Sequence, residues 1–164
     1  MKQILQNISN GEIQLVEVPC PQNISGQLLI STTKSLISIG TERMLIDFGT
    51  SGWIQKARSQ PDKVKMVLGK VKTDGLIPTI DAVRSKLDQP LPLGYCNVGI
   101  VQDSGDTAFV VGSRVISNGN HAEIVRVPKN LCALIPENVN DESAAFTVLA
   151  AIAMQGVRIA NPTI

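Results

Sequence analysis

The sequence predicts a domain of mixed α and β structure, mainly β with helices, in which a partly open β-barrel carries one helical insertion and ends in a helix. Three observations lead to this class. Short stretches rich in Ile, Val and Thr recur with Gly or Pro between them, the middle third changes to helical periodicity, and an Ala-rich stretch lies near the end. Many short strands separated by turn signals favour a barrel.

The strands are predicted from composition in chain order. Residues 12–18 and 27–33 are rich in Ile, Leu, Val and Thr, and a Pro- and Gly-marked connection joins them. This pattern predicts two strands with a turn between them. Further short β stretches are predicted at 36–39, 98–102, 114–117, 122–127 and 132–135.

The helical insertion is predicted over about residues 44–88. Two apolar stripes recur at positions i, i+3 or i+4, and i+7, with basic residues off the stripe: Val64, Val67, Leu68 and Val71, then Leu76, Ile80, Val83 and Leu87. This spacing predicts two amphipathic helices, and a third is expected at 44–59, interrupted by Gly49 and Gly52. Two interpretations stay open: a scaffold that covers the barrel mouth, or a lid or dimer contact.

The last helix is predicted over 141–160. Its apolar run, Ala144 to Ala153, has about half the roughly 20 residues of a membrane span, which indicates a packed helix. At 164 residues and 43% hydrophobic composition, the chain is large enough to bury one core. We therefore expect residues 1–164 to form one domain.

Charge and cysteine content narrow the class of partners. The formal net charge is +1, so no whole-chain field attracts nucleic acid or a membrane, and a small-molecule substrate is expected. The three Cys residues are dispersed and odd in number, which predicts reduced thiols. The N-terminus also lacks the apolar core of a signal peptide. We expect a cytoplasmic protein that could form a homo-oligomer.

Four segments in order carry a resemblance to a known family. The stretch LPLGYCNVGIV at 91–101 resembles the P-x-x-x-G-H-E-x-x-G-x-V motif of zinc-type medium-chain alcohol dehydrogenases, and IGTE at 39–42 resembles their C-G-T-D. VGSRV at 111–115 and GNHAEIVRVP at 119–128 resemble two further motifs of the family, and residues 141–158 resemble its helix before the nucleotide-binding domain.

The resemblance implies a fold and a function. It implies the N-terminal GroES-like substrate domain of an NAD(P)-dependent oxidoreductase, with 141–164 leading to a downstream Rossmann domain before which the chain is truncated. The closest resemblance is to bacterial bi-domain oxidoreductases of the sugar-dehydrogenase type, which implies a sugar or nucleotide-sugar substrate. No G-x-G-x-x-G occurs among the 13 Gly, so residues 1–164 alone are not expected to bind NAD or NADP. The alternative is a non-catalytic GroES-like binding or assembly module.

The same alignment of motifs predicts the site. Ile39 and Tyr95 stand where the family has zinc-binding Cys and His, and because an aliphatic side chain cannot ligate a metal and a neutral phenol is a poor ligand, no zinc is expected. Tyr95 is the first candidate catalytic residue, as a proton donor or as a packed ring, and Glu42 and Thr41 are the others. Cys96 is interpreted as an inert thiol and the lone imidazole, His121, as structural.

Overall fold

The computed structural model of the chain describes residues 1–162, apart from the side chain of Trp53. Helices hold 40% of the residues and strands 25%, so the fold is mixed α/β. The prediction that strands and helices occur together is confirmed, but the expected excess of β structure is not. No helix of the described chain is long and apolar enough to cross a bilayer.

The strands and helices follow in one order along the chain. The eight strands are β1 Lys2–Gln6, β2 Ile13–Glu17, β3 Gln27–Ser35, β4 Leu91–Pro92, β5 Asn97–Asp103, β6 Arg114–Ser117, β7 Ile124–Pro128 and β8 Cys132–Leu134. The helices are α1 Ile39–Thr50, α2 Trp53–Ser59, α3 Pro61–Asp74, α4 Leu76–Leu87, α5 Asp141–Ala144 and α6 Thr147–Ala160.

The strands form two open sheets. One has the order β2-β1-β4, and the other has the order β7-β3-β5-β6-β8 with antiparallel neighbours. Within residues 1–162 neither sheet closes into a barrel, so the barrel form of the prediction is corrected to two open sheets. The strand predicted at 36–39 is also wrong, because β3 ends at Ser35 and α1 begins at Ile39.

The described chain divides into two compact units. Unit 1 holds Met1–Ile4, Leu15–Ser38 and the residues from Leu93 onward, and unit 2 holds Leu5–Gln14 and Ile39–Pro92. The predicted insertion at 44–88 therefore lies wholly in unit 2. The last two residues of the segment predicted at 141–164 lie outside the described residues.

Unit 1 is built on the five-stranded sheet. Six buried aliphatic side chains form its larger core, and all lie on strands of this sheet: Leu28, Ile30, Val101, Val115, Val125 and Val127. A smaller core packs Val98 of β5 against Ala144 and Ala145. Because strands expose alternate residues to opposite faces, the alternating pattern of β7, with Val125 and Val127 buried and Arg126 exposed, identifies its core side.

A charged contact fixes α5 to the sheet. Arg114 of β6 donates from Nε and Nη2 to Oδ1 of Asp141, and Thr33 of β3 donates to the other carboxylate oxygen at 2.8 Å. The helix begins at this carboxylate, preceded by Asn140, whose side chain accepts a bond from the Ser143 amide. The hydrogen bond from Arg114, followed by that from Thr33, lowers the pKa of Asp141 below its ordinary 3.8.

Asp141→Asn is expected to lower the free energy of unfolding by about 1–2 kcal/mol at neutral pH, because charge-assisted hydrogen bonds are lost. Since the folded state lowers this pKa, the contribution is full above the unfolded value and is lost as pH falls through the folded one. Urea unfolding at several pH values should show the wild-type advantage shrinking below about pH 4. Glu142→Gln, which removes an exposed ion pair with Lys34, is the control and should change stability little. A pH-independent difference would contradict the assignment.

Unit 2 contains a buried ammonium group. The Nζ of Lys56 in α2 donates to the backbone oxygens of Ile8 at 2.8 Å, Ser9 at 3.0 Å and Gly49 at 2.8 Å. Only 8% of Lys56 is exposed, and this burial lowers its pKa. Its three N–H donors therefore join the N-terminal turn to α1 and α2, in an arrangement that satisfies every proton of the ammonium group.

The insertion helices form at the predicted positions, but in both α3 and α4 the buried side chains differ from the predicted apolar stripe. Val64, Val67 and Val71 of α3 are half-buried, as the stripe predicts, but Leu68 is 59% exposed. In α4 the buried face is Thr79, Val83 and Leu87, while Leu76 is 60% exposed. The predicted third helix is two helices, α1 and α2, which begin earlier than expected at Ile39.

Candidate functional site

The predicted motif around Tyr95 forms the loop between β4 and β5. Gly94 has a φ of +91°, a left-handed conformation that glycine adopts without strain, and the chain then returns to extended structure. Tyr95 is half-buried, Cys96 is fully buried, and the Cys96 carbonyl accepts a hydrogen bond from the Leu36 amide at 2.9 Å. The loop is thereby fixed to the end of β3, and Tyr95 stands at a defined place.

His121 packs directly against this loop. A Cβ on Gly94 would lie 2.7 Å from Cγ and Cδ2 of the imidazole, so the ring occupies the space that the missing side chain leaves. The His121 amide donates to the Leu93 carbonyl at 2.8 Å, and its own carbonyl accepts from Ile4 at 3.0 Å. The residue is 6% exposed. The structure therefore places the lone imidazole beside the motif, where the sequence indicated no proximity.

The imidazole has a hydroxyl partner. Its Nδ1 and the Oγ of Ser35 share a hydrogen bond of 2.9 Å, and Ser35 is exposed at the end of β3. A hydroxyl bonded to an imidazole can pass a proton to it and receive one from it. Sequence reasoning missed Ser35 and undervalued His121, because 86 residues separate the two. The signal available in the sequence was Gly94, because a glycine in a motif can leave space that a large side chain from elsewhere in the chain fills.

A buried polar line supports the turn that carries His121. Asn97 is 1% exposed and donates to the Thr32 hydroxyl at 2.8 Å, while Ser117 donates to Asn97 at 3.4 Å. The Gly119 amide in turn donates to the Ser117 hydroxyl at 3.2 Å. Because buried polar groups are costly when unpaired, this sequence of bonds specifies one arrangement of β3, β5 and the 117–121 turn.

The other predicted site residues lie in unit 2. Thr41 and Glu42 belong to the first turn of α1, not to a turn after a strand. Thr41 is exposed, whereas Glu42 is only 5% exposed. A carboxylate in the first helical turn is stabilised by the helix dipole. Their catalytic roles stay predictions.

Metal ligands were expected to be missing from the motif, and the described residues were compared with what a zinc site needs. Ile39 is 77% exposed and cannot ligate, and within residues 1–162 no three His, Cys, Asp or Glu side chains come together in a way that could hold an ion. All three cysteines are free, and burial raises the pKa of Cys132 to about 11. The donor set therefore does not suit catalytic zinc, which needs three ligands of these types.

Unit 1 also contains an open cavity of about 510 Å³ along the edge strand β7. Val18, Pro19, Val125 and Val127 are among its lining residues. The cavity reaches both chain neighbours of His121, whereas Tyr95 and His121 themselves are not among its lining residues. This cavity is therefore separate from the candidate site at Tyr95 and His121.

Comparison with known proteins identifies a shared fold. No family model matches the sequence, and no curated protein matches it either. Among solved structures it is similar to an alcohol dehydrogenase from Escherichia coli CFT073 complexed with NADH (TM-score 0.67, 16% identity, covering 99% of this chain and 46% of that one). It is also similar to galactitol-1-phosphate dehydrogenase from Escherichia coli (0.65, 12%, 98% and 45%).

A quinone oxidoreductase from Thermus thermophilus, also solved with NADPH, shares the fold as well (TM-score 0.56, 18% identity, covering 96% of this chain and 41% of that one). These proteins are dehydrogenases and an oxidoreductase, and the predicted resemblance is confirmed at the level of the fold. The chain spans less than half the length of each of these three proteins. The similarity establishes the fold of this chain but not its activity.

Proposed function

We propose that this chain is the substrate-side part of an NAD(P)-dependent, zinc-independent oxidoreductase, and that a nucleotide-binding domain covers its helix α6. The observation that carries the proposal is the Ser35–His121–Gly94 arrangement beside Tyr95. It gathers two groups that can move protons next to the motif loop. The shared fold with NADH- and NADPH-complexed oxidoreductases supports the reaction class.

Helix α6 supports the second half of the proposal. Its residues are almost all apolar, yet none is buried, and Ile152, Met154, Val157 and Ile159 are 54–75% exposed. A helix that is apolar on every face normally lies inside a protein. An additional structure is therefore needed to cover it, and we propose a Rossmann domain in that place.

We propose that residues 1–164 do not hold a nucleotide by themselves. The sequence has 13 Gly and no G-x-G-x-x-G, so it lacks the turn whose amides bind a pyrophosphate. We therefore assign NAD or NADP to the proposed covering domain. When bound there, the nicotinamide would supply or accept a hydride.

The chain's own residues would manage the proton. Reduction of a carbonyl adds one hydride to carbon and one proton to oxygen, and a positioned protein hydroxyl can donate that proton. Tyr95 has a hydroxyl at the motif loop, and the Ser35–His121 pair could return a proton from solvent to the site. Catalytic roles for Glu42 and Thr41 are proposed from the motif resemblance alone.

The substrate class is proposed at two levels. A small carbonyl compound or polarised alkene follows from the reaction class. The narrower form, a sugar or nucleotide sugar, is supported only by the resemblance of the segments at 39–44 and 93–99 together with the helical insertion. The similar structures include a galactitol-1-phosphate dehydrogenase and quinone oxidoreductases, so both kinds of substrate belong in the test.

The test is oxidation of NADH and NADPH by the full-length gene product, with 9,10-phenanthrenequinone and a set of ketosugars and UDP-sugars, in the presence of EDTA. Turnover that survives the chelator is expected. Loss of turnover with EDTA and recovery with zinc would overturn the metal-independent mechanism. Absence of turnover and of cofactor binding under all these conditions would favour the non-catalytic binding or assembly module.

His121→Asn is expected to lower kcat by about 100- to 10,000-fold, because the amide can keep the hydrogen bond to Ser35 but cannot accept a proton. The pH dependence of kcat should also change, because the proton-accepting group is removed. Ser35→Ala, which keeps the ring but removes the relay, should show a smaller loss. If His121→Asn has a normal kcat and pH profile, the imidazole is a packing residue only.

A further inference from the structure

The three insertion helices, α2 to α4, carry a net positive charge, and the rest of the chain carries a net negative charge of nearly the same size. Residues 53–87 contain eight Lys or Arg and three Asp, a net charge of +5, whereas the remaining residues have −4. The whole-chain value of +1, from which no membrane partner was expected, conceals this separation. A strong charge asymmetry between segments indicates a region that binds a polyanion or an anionic surface.

The charges on α3 are arranged in two rows. Lys63 and Lys70 are seven residues apart, as are Lys65 and Lys72, and seven residues make about two helical turns. With about 100° per residue, the two rows run along the helix on either side of Met66, which is 74% exposed. The half-buried valines of α3 lie on the opposite side of the helix, so this basic face points to solvent.

These ammonium groups are little neutralised within the chain. The ion pair of α3 in the described part of the structure joins Lys70 to Asp74 at 3.8 Å between half-exposed side chains. Lys63, Lys65 and Lys72 have no carboxylate within salt-bridge distance in residues 1–162. Three exposed ammonium groups without a salt-bridge partner in the described residues are therefore available to an external anion.

The turn between α3 and α4 carries exposed aliphatic side chains. Leu76 is 60% exposed and Ile77 is 73% exposed, and both follow Gly75, whose φ is +89°. The Thr79 hydroxyl donates to the Gly75 carbonyl at 2.7 Å, and the Gly75 amide donates to Val71 at 3.1 Å. The tip is thus closed by its own hydrogen bonds while two large apolar groups remain in water.

We infer that the basic hairpin face, defined as Lys63, Lys65, Met66, Lys70, Lys72, Leu76 and Ile77, docks on an anionic lipid surface. Lysine rows suit phosphate and carboxylate headgroups, and aliphatic groups enter the boundary between headgroups and acyl chains. A nucleic acid would be bound by the lysines, but it gives no reason for exposed Leu and Ile. An aromatic side chain that could stack on bases is also absent from residues 61–88.

The experiment is flotation of the full-length gene product with vesicles of phosphatidylcholine alone or with about 30% phosphatidylserine. Binding to the anionic vesicles and not to the neutral ones is expected, with release at about 0.5 M salt, since the Debye length then falls to a few Å. Lys65→Gln/Lys72→Gln should weaken partitioning by about 10- to 25-fold, roughly fivefold per lysine. Leu76→Ser/Ile77→Ser should also weaken it, by about 10-fold or more.

The matched control is Val110→Ser/Val111→Ser, which removes two equally exposed aliphatic side chains from unit 1. It should float like the wild type, and circular dichroism should show that all variants stay folded. Equal binding of neutral and anionic vesicles, or no binding to either, would overturn the inference. Tighter binding to single-stranded or duplex nucleic acid, or loss of a dimer in Leu76→Ser/Ile77→Ser without any lipid binding, would assign the face to those partners instead. None of these outcomes depends on turnover.

Discussion

Gly94→Ala is expected to lower the free energy of unfolding by about 3 kcal/mol or more, or to prevent folding. Two costs add at this position. A φ of +91° strains any residue with a Cβ, at about 1–2 kcal/mol. The new methyl would also lie 2.7 Å from the His121 ring and from its backbone nitrogen, and overpacking costs about 1–3 kcal/mol.

Gly112→Ala is the matched control for this prediction. Gly112 is also in unit 1 and has nearly the same φ, +88°, but a Cβ there meets no atom within 4 Å. Urea unfolding of both variants separates the backbone strain from the steric conflict with His121. Equal destabilisation at the two positions would show that the imidazole is not packed against Gly94.

Tyr95→Phe in the full-length gene product is expected to lower kcat by about 10- to 10,000-fold while the fold stays intact. The substitution keeps the half-buried ring and removes only the hydroxyl, so it tests proton donation separately from packing. Steady-state kinetics and thermal unfolding, measured together, give the answer.

The outcomes for Tyr95 separate three roles. An unchanged kcat with an unchanged melting temperature would remove Tyr95 from the mechanism. A normal kcat with a lower melting temperature would show that the hydroxyl serves the fold, since a buried donor that loses its bond costs about 1–3 kcal/mol. A lower kcat with an unchanged melting temperature would support proton donation by the Tyr95 hydroxyl.

The local pattern of the sequence predicted most elements but not how the strands close. Strands β3, β5, β6 and β7 were located to within a few residues, since short runs rich in β-branched residues between turn signals are a strong signal. Strand β1 was not predicted, and the barrel was expected from strand number alone. Strand order depends on contacts between residues far apart in sequence, which composition does not report.

The boundaries near the candidate site were the least predictable. Residues 36–39 are aliphatic except for Ser38 and suggested a strand, yet β3 ends at Ser35 and α1 begins at Ile39. In α4, Thr79 rather than Leu76 occupies the buried face, since its hydroxyl bonds to Gly75. A polar side chain with a local partner can be buried more cheaply than its type suggests.

The site itself was half predictable. Tyr95 and its glycine could be named because they belong to one short motif. His121 and Ser35 could not be paired, because they meet only through the β3–β5–β7 arrangement and the turn that Asn97 and Ser117 hold. Their importance follows from three-dimensional proximity, which a single sequence does not encode locally.

The rate at which the buried Lys56 amine reacts with a reagent would report how often unit 2 opens locally. An amine that is 8% exposed and bound to three carbonyl oxygens reacts with an acylating or methylating reagent only when α2 separates from the turn at Ile8 and Ser9. Its labelling rate relative to that of an exposed amine such as Lys63 is therefore a measure of the opening equilibrium. A modified Lys56 has fewer N–H donors for the backbone oxygens that surround it in the closed state. One acylation or methylation would therefore prevent α2 from returning to its place and make the opening permanent.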